Sequence, residues 1–398
     1  MGLDVIGIGA DGTDGLSPEV RRVLDAAEVI VGGARHLGFV AHHLAEKLTW
    51  KRPLHATFME IDSRLERRVV VLSSGDPLDH GVARRLIERY GRDRVAVHPH
   101  PSAFALACAR LGWSREEVTC LSLHGRPASR LLRELTPNKR LLLLTDAKTS
   151  ACAIAQTLRE QGWGPSTLWR LSRLGAHDEI VAEGLAAHWT DPTVTELDTL
   201  AVHCRPAAEG RDRSGFALDD EAFCHDGQLS KVQARMHAVF ALNPLPGQHL
   251  WDVGAGCGGV AITWLRAAGT GQVSAIECDF GRAALLQKNA DHLGTPEVQV
   301  VIADAPDVFD ELEDPDAVFV GGGCHDPAII EAAWARLPSG GRLVAQAVSV
   351  EGQRALTDAA ARLGGRLTRF HRETLAPLGE KTTWRPSLPV LQLEARKP

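Results

Sequence analysis

Short apolar runs alternate with amphipathic stretches along the whole chain. In the first half the apolar runs are LDVIGIG (3–9), EVIVGG (28–33), RVVVLSS (68–74), RVAVHP (94–99), EVTCLSL (117–123), RLLLLTD (140–146), STLWRLSRL (166–174) and TLAVHC (199–204). Between them, VARRLIERYG (82–91) and TSACAIAQTLREQG (149–162) carry apolar residues at helical spacing. The alternation predicts strands and helices packed as an α/β fold. RPAAEGRDRSGFAL (205–218) is polar and aperiodic and reads as a linker. A second α/β unit then opens with the helix LSKVQARMHAVFALN (229–243) and runs through LWDVG (250–254), VSAIE (273–277), VQVVIAD (298–304), AVFVGG (317–322) and GRLVAQAV (341–348). The stretches RLTRFHRETL and LPVLQLEA predict a closing antiparallel pair. The pattern divides the chain into a domain at 1–204, a linker at 205–218 and a domain at 219–398, without internal repeats or low-complexity tracts.

Two glycine-rich loops follow predicted strands, and their surroundings differ. VIGIGADGTDG (5–15) contains Gly7, Gly9 and Gly12 in the spacing G-x-G-x-x-G. A dinucleotide loop would open a helix on the third glycine and end the next strand in an acid. Here the helix signal arrives only at Ser17-Pro18, as N-cap and N1, and the next strand ends in glycines. A dehydrogenase is therefore not expected. The second loop, Gly254-Ala255-Gly256-Cys257-Gly258-Gly259, runs straight into a predicted helix, and the strand after it ends in Glu277, placed to accept the hydroxyls of a ribose.

Four features stand at successive strand ends of the second half: the Gly254–Gly259 loop, Glu277, Asp304-Ala305-Pro306 and Gly321-Gly322-Gly323. In that order they fit an S-adenosylmethionine methyltransferase. The loop would cradle the methionine part, Glu277 the ribose and Asp304 the adenine edge, with Gly322 and Gly323 facing the methyl acceptor. The plain alternative for each is a tight turn or an acidic strand end. The fourth strand end lacks the Asn-Pro-Pro-aromatic stretch of base amine methylases, which argues against nucleobase N-methylation. Cys324 and Cys257 read as packing residues rather than nucleophiles.

Composition narrows the classes further. The 398 residues carry a net charge of −6, so nothing favours nucleic acid or a membrane surface. No apolar run approaches 18 residues, and no basic leader precedes the first strand. Eight scattered cysteines with no C-x-x-C pair suggest neither a zinc site nor a disulfide framework. A cytoplasmic location and no metal are expected.

HDGQLSK (225–231), DVGAGCG, AIE, IADAP, PDAVFVGGG and PSGGRLVAQAV together resemble the CbiT-type precorrin methyltransferases, over most of 219–398. That class has a Rossmann-like class I methyltransferase fold, and the resemblance adds Gln228 to the cofactor contacts Gly254, Ala255, Gly256, Cys257, Gly258, Glu277, Asp304 and Ala305. The first half, through residues 5–37, SGDP (74–77), HPHPS (98–102), LHGRP (123–127), LLTD (143–146) and RLGAHDEIV (173–181), resembles the CbiE-type tetrapyrrole methylases. The resemblance implies a two-subdomain fold with a second S-adenosylmethionine site at Gly9, Gly75, Asp76, Pro77 and Ser102. It departs from the usual pattern at Ala10, at Asp79-His80 and in the HPHPS turn. A polycarboxylate substrate needs cationic partners, for which His124 and Arg126 stand first, with Arg35, His36 and the pair Arg84-Arg85 behind them.

The two resemblances in this order are those of the fused precorrin-6Y C5,15-methyltransferase (decarboxylating) family. They imply C-methylation of a precorrin at C5 and C15 with loss of the ring C acetate carboxyl, in cobalamin biosynthesis, and S-adenosylhomocysteine as by-product. Both component classes self-associate, so a homo-oligomer is expected. The chemistry asks mainly for in-line alignment of carbon, methyl and sulfur, so no catalytic residue is named from the sequence. Two alternatives stay open: a methyltransferase for another small acceptor that shares the cofactor fold but not the substrate, and a single methyl-transfer site with a first half that only binds the tetrapyrrole.

Overall fold

All eight apolar runs of the first half are strands, and two further strands join them. β1 (Leu3–Ile8), β2 (Val29–Gly32), β3 (Glu46–Thr49), β4 (Val69–Ser74) and β5 (Val95–His98) form a parallel sheet in the order β3-β2-β4-β1-β5. β6 (Val118–Ser122), β7 (Arg140–Leu144), β8 (Thr167–Ser172), β9 (Ile180–Leu185) and β10 (Asp198–His203) form a second sheet, β6-β7-β10-β8-β9, in which only β6 and β7 are parallel. The register of β1 on β4 sets Ile8 beside Ser74, and the Gly75 amide donates to the Ile8 carbonyl at 3.0 Å. The loops after these two strands therefore leave side by side. Helix Pro18–Asp25 starts where its signal stood, with Ser17 Oγ accepting from the Val20 amide and Pro18 at N1.

The second half is a seven-stranded sheet. β11 (His249–Val253), β12 (Gln272–Ile276), β13 (Val298–Val301), β14 (Ala317–Val320) and β15 (Arg342–Ala347) are parallel, in the order β13-β12-β11-β14-β15. β16 (Arg366–Phe370) follows, then a separate antiparallel hairpin of β17 (Glu373–Leu378) and β18 (Lys381–Pro386), and finally β19 (Val390–Arg396), which inserts antiparallel between β15 and β16. β16 with β19 is the closing pair read from the sequence. Leu250, Ala317 and Phe319 pack on one face of the sheet and Trp251, Val253, Val318 and Val320 on the other. Both faces are covered, which is why these strands read as unbroken apolar runs. Strand order reverses beside β11, where open parallel sheets form their ligand crevice.

This computed structural model describes residues 2–195, 198–207 and 215–398, so most of the central part of the expected linker lies outside the described residues. The chain gathers into two units, Met1–Ala128 with Pro137–Gly210, and Ser129–Thr136 with Arg211–Pro398. Among the described residues no helix is long and apolar enough to cross a membrane.

Candidate active sites

In the C-terminal unit, β11 ends at Val253 and the glycine loop turns the chain into helix Gly259–Ala268. Gly254, Gly256 and Gly258 all have positive φ, at 67°, 59° and 86°. Gly254 and Gly322 are in backbone contact: a Cβ on Gly254 would lie 2.5 Å from the Gly322 Cα. Gly256 has open space on its side-chain side. Glu277 is 4 % exposed and held by two amides, Gly256 N to Oε2 at 2.7 Å and Asp279 N to Oε1 at 3.0 Å. The carboxylate thus fixes the loop and keeps spare lone pairs for a ligand. These groups line a cavity of about 330 Å³, together with Gln228, Ala255, Cys257, Asp304, Ala305, Gly322 and Gly323. Gly258 does not line it. Its absent side chain instead lets Leu286 and Ile262 close in behind the loop.

The sequence reading passed over three residues of this unit. Asp252 is 1 % exposed and lines the cavity; its Oδ2 accepts from the Ala261 amide at 2.8 Å, while Oδ1 is buried without a partner. Burial, opposed by that amide and reinforced by the charge of Glu277, pushes its carboxyl up to about 7. An acid inside the apolar run LWDV was the available signal. Arg282 lines the cavity and pairs with Asp226 at 3.0 Å, and Asp226 in turn accepts from the Gln228 amide at 3.0 Å, fixing that segment. Arg235 is fully buried, donating to Asp220 at 2.7 Å and to the Leu218 carbonyl at 2.6 Å, with its guanidinium 4.7 Å from the Phe223 ring centroid. It ties residues 218–230 to helix Val232–Leu242. Replacing Arg235 by Met leaves Asp220 with only the Lys231 ammonium, 3.8 Å away, takes the guanidinium donor from the Leu218 and Ser230 carbonyls, and is expected to cost about 3 kcal/mol of stability. Urea denaturation measures this, and a loss below about 1 kcal/mol, ordinary for a surface change, would refute the clamp.

Cys257 and Cys324 are buried, and burial raises both thiols, Cys257 to about 11. Neither is a thiolate nucleophile near neutral pH. An unpartnered buried carboxylate oxygen, open space at Gly256 and a shaped carboxylate at Glu277 together suit a cationic nucleoside, which is what S-adenosylmethionine is.

In the N-terminal unit, Gly9, Gly75 and Ser102 line a cavity of about 680 Å³ between its two sheets, with His124 and Arg126. Asp76 and Pro77 do not line it. Asp76 Oδ1 accepts from the Leu78 amide at 2.9 Å, so this carboxylate shapes the turn that carries Gly75. Gly7 is in the same crossing of loops: a Cβ there would stand 2.1 Å from the Gly75 carbonyl oxygen. Gly12 opens a short 3-10 turn, Thr13–Gly15, and not the helix, as the surrounding sequence suggested. Arg35, His36 and Arg85 line the cavity, whereas Arg84 points elsewhere and pairs with Glu88 at 2.7 Å. Arg35 donates to Ser74 Oγ at 2.9 Å and lies 3.0 Å from His36 Nε2. Burial and then the Arg35 charge push His36 down to about 4, so its ring is neutral near pH 7. Asp79 and His80, the departures from the usual pattern, also line the cavity, with His80 at φ 60°.

The family described as "Precorrin methyltransferase domain" matches residues 221–397, and "Tetrapyrrole (Corrin/Porphyrin) Methylases" matches 3–189. Along its length the chain is 39% identical, over 399 residues, to a Sinorhizobium sp protein named precorrin-6Y C(5,15)-methyltransferase [decarboxylating], covering 98% of this chain and 95% of that one. It is also 30% identical over 196 residues to the cobalt-precorrin-7 C(5)-methyltransferase of Salmonella typhimurium (49% of this chain, 94% of that one). A cobalt-precorrin-6B C(15)-methyltransferase (decarboxylating) from the same organism is 30% identical over 186 residues (45% and 96%).

Proposed function

From the premise that this chain belongs to the precorrin-6Y C(5,15)-methyltransferase (decarboxylating) family, we propose that its two units share that family's two methylations, one site in each. The N-terminal unit takes C5 and the C-terminal unit takes C15 with loss of the ring C acetate carboxyl. The observation that carries this reading is the pair of separate cavities, each at the carboxyl ends of parallel strands and each within a half that matches a methyltransferase family of its own. The proposal includes S-adenosylmethionine at both sites, a cytoplasmic location and a homo-oligomer.

S-adenosylmethionine supplies an electrophilic methyl on a sulfonium, and a reduced tetrapyrrole supplies a carbon nucleophile. The protein's task is therefore alignment and exclusion of water. In the C-terminal unit, Gly254–Cys257, Glu277, Gln228, Asp304 and Ala305 hold the donor. Gly321, Gly322 and Gly323 keep the acceptor side of the cavity free of side chains. The protonated macrocycle takes the electron pair released when the acetate carboxylate leaves as carbon dioxide, a proton then replaces it on the remaining methylene carbon, and removing that carboxylate from water favours the step. In the N-terminal unit, Arg35, Arg85, His124 and Arg126 are the donors that can meet the acetate and propionate groups.

The test is a count. Full-length protein incubated with methyl-labelled S-adenosylmethionine and precorrin-6B is expected to transfer two methyl groups and release one carbon dioxide per macrocycle. One methyl and one carbon dioxide per macrocycle would instead establish the single-site alternative, with an N-terminal unit that only binds.

A further inference from the structure

Two loops leave the parallel pair β6 and β7 at their carboxyl ends. The first, after Ser122, carries His124 and Arg126 to the N-terminal cavity. The second, after Leu144, carries Thr145 to the same cavity and then Asp146, which does not line it. Asp146 joins the two. Its Oδ2 accepts from the Gly125 amide at 2.7 Å, between His124 and Arg126. Its Oδ1 accepts from the amides of Lys148 at 2.9 Å and Thr149 at 3.0 Å, in a capping box with the buried Thr149. One carboxylate oxygen therefore fixes its own turn, and the other fixes the neighbouring loop.

The first loop is anchored at its start, where the buried Leu123 donates its amide to the Leu144 carbonyl at 2.8 Å, and beyond Leu123 its other restraints are slight. Gly125 has φ 68° and open space around it, the Arg126 amide closes a turn on the Leu123 carbonyl at 3.0 Å, and Arg126 Nη1 reaches the Ser122 carbonyl at 3.4 Å. His124 and Arg126 are both exposed. The Gly125 amide is the largest influence on the Asp146 carboxyl; burial opposes it, Thr149 and Lys148 add to it, and together they bring the group down to about 2. The anion is thus in place at every pH of interest.

We propose that Asp146 is a positioning residue of the N-terminal site: through the Gly125 amide it sets where His124 and Arg126 stand for the carboxylates of the tetrapyrrole. This rests on the reading of that cavity as the tetrapyrrole site. LLTD, a stretch that the resemblance singled out without a role, and LHGRP, which carries the candidate substrate partners, become the two halves of one device.

Asp146→Asn keeps an oxygen for the Lys148 and Thr149 amides and presents an amide group to the Gly125 N–H. In full-length protein this is expected to raise KM for the tetrapyrrole in the N-terminal methylation by about tenfold, as for one charge-assisted hydrogen bond. Its kcat is expected to stay near wild type, the unfolding midpoint to fall only modestly with the loss of the anion's hydrogen bonds, and the C-terminal methylation and decarboxylation to be unchanged. In an Arg126→Ala, His124→Ala background, which has a raised KM of its own, the same substitution is expected to add less than about twofold, because the groups it positions are gone. Full additivity of the substitutions, or a fall in kcat and midpoint at unchanged KM, overturns the positioning role. If Arg126→Ala with His124→Ala leaves KM untouched, the reading of the cavity itself fails, and Asp146 with it.

Discussion

Gly254→Val is expected to remove cofactor binding and methyl transfer at the C-terminal site while the N-terminal methylation continues. The reason is backbone geometry. Gly254 sits at φ 67°, a conformation that costs a side-chain-bearing residue about 1–2 kcal/mol. Its Cβ would also stand 2.5 Å from the Gly322 Cα and 2.6 Å from the Gly322 nitrogen. These are backbone atoms and cannot rotate away; the β11 and β14 loops must part. Forced overlap of this kind adds about 1–3 kcal/mol, and the loops that part are the floor of the cavity. The sum predicts a loss of roughly two to three orders of magnitude in affinity for S-adenosylmethionine at that site. Gly256→Ala is the control: φ is 59° but nothing lies within 4 Å, so only the strain of about 1–2 kcal/mol applies. Calorimetric titration of the full chain distinguishes the cases. Two undisturbed binding events in Gly254→Val would show that the loop does not hold the cofactor.

That contact between Gly254 and Gly322 also marks where the sequence stops being readable. Each glycine belongs to a pattern visible along the chain, a loop after an apolar run, but nothing local says that the two backbones touch. The parallel strands were legible because burial on both faces makes them continuous apolar runs. β3, with the charged sequence EKLT, and β9, largely exposed, are edge strands and lack that signal. The β17–β18 hairpin is almost wholly exposed and was invisible for the same reason. Charge was harder still. Arg84 and Arg85 are adjacent on one helix, and only the turn of that helix sends Arg85 to the cavity and Arg84 to Glu88. The burial of Arg235 depends on a loop returning over it to bring Asp220 and the Leu218 carbonyl, which nothing local in the sequence shows.

Asp252 stands out in the sequence only as an acid inside an apolar run; its surroundings, which the sequence does not show, predict an unusual pH response. Its ordinary value is near 3.8, and in the folded protein it stands at about 7, chiefly through burial. A carboxyl raised on folding binds more protons in the native than in the unfolded chain. Its contribution to stability is therefore complete below about 3.8, and is lost as pH rises toward 7. Three units correspond to on the order of 4 kcal/mol at most. Asn is nearly isosteric with the protonated acid: its oxygen can accept from Ala261, and it carries no charge to bury. Asp252→Asn should thus match wild type near pH 4 and become progressively more stable than wild type between pH 4 and 8, in paired urea denaturations where other titrating groups cancel. Binding should move in the opposite direction. If the orphan oxygen meets the positive charge of S-adenosylmethionine, wild-type affinity rises with pH through about 7 with release of a proton, and Asp252→Asn loses both that dependence and about 10- to 100-fold in affinity at pH 8. A variant less stable than wild type throughout the range would mean that Asp252 is ionised and paired. A variant that gains stability yet binds normally would mean that the buried carboxyl belongs to the fold and not to the cofactor.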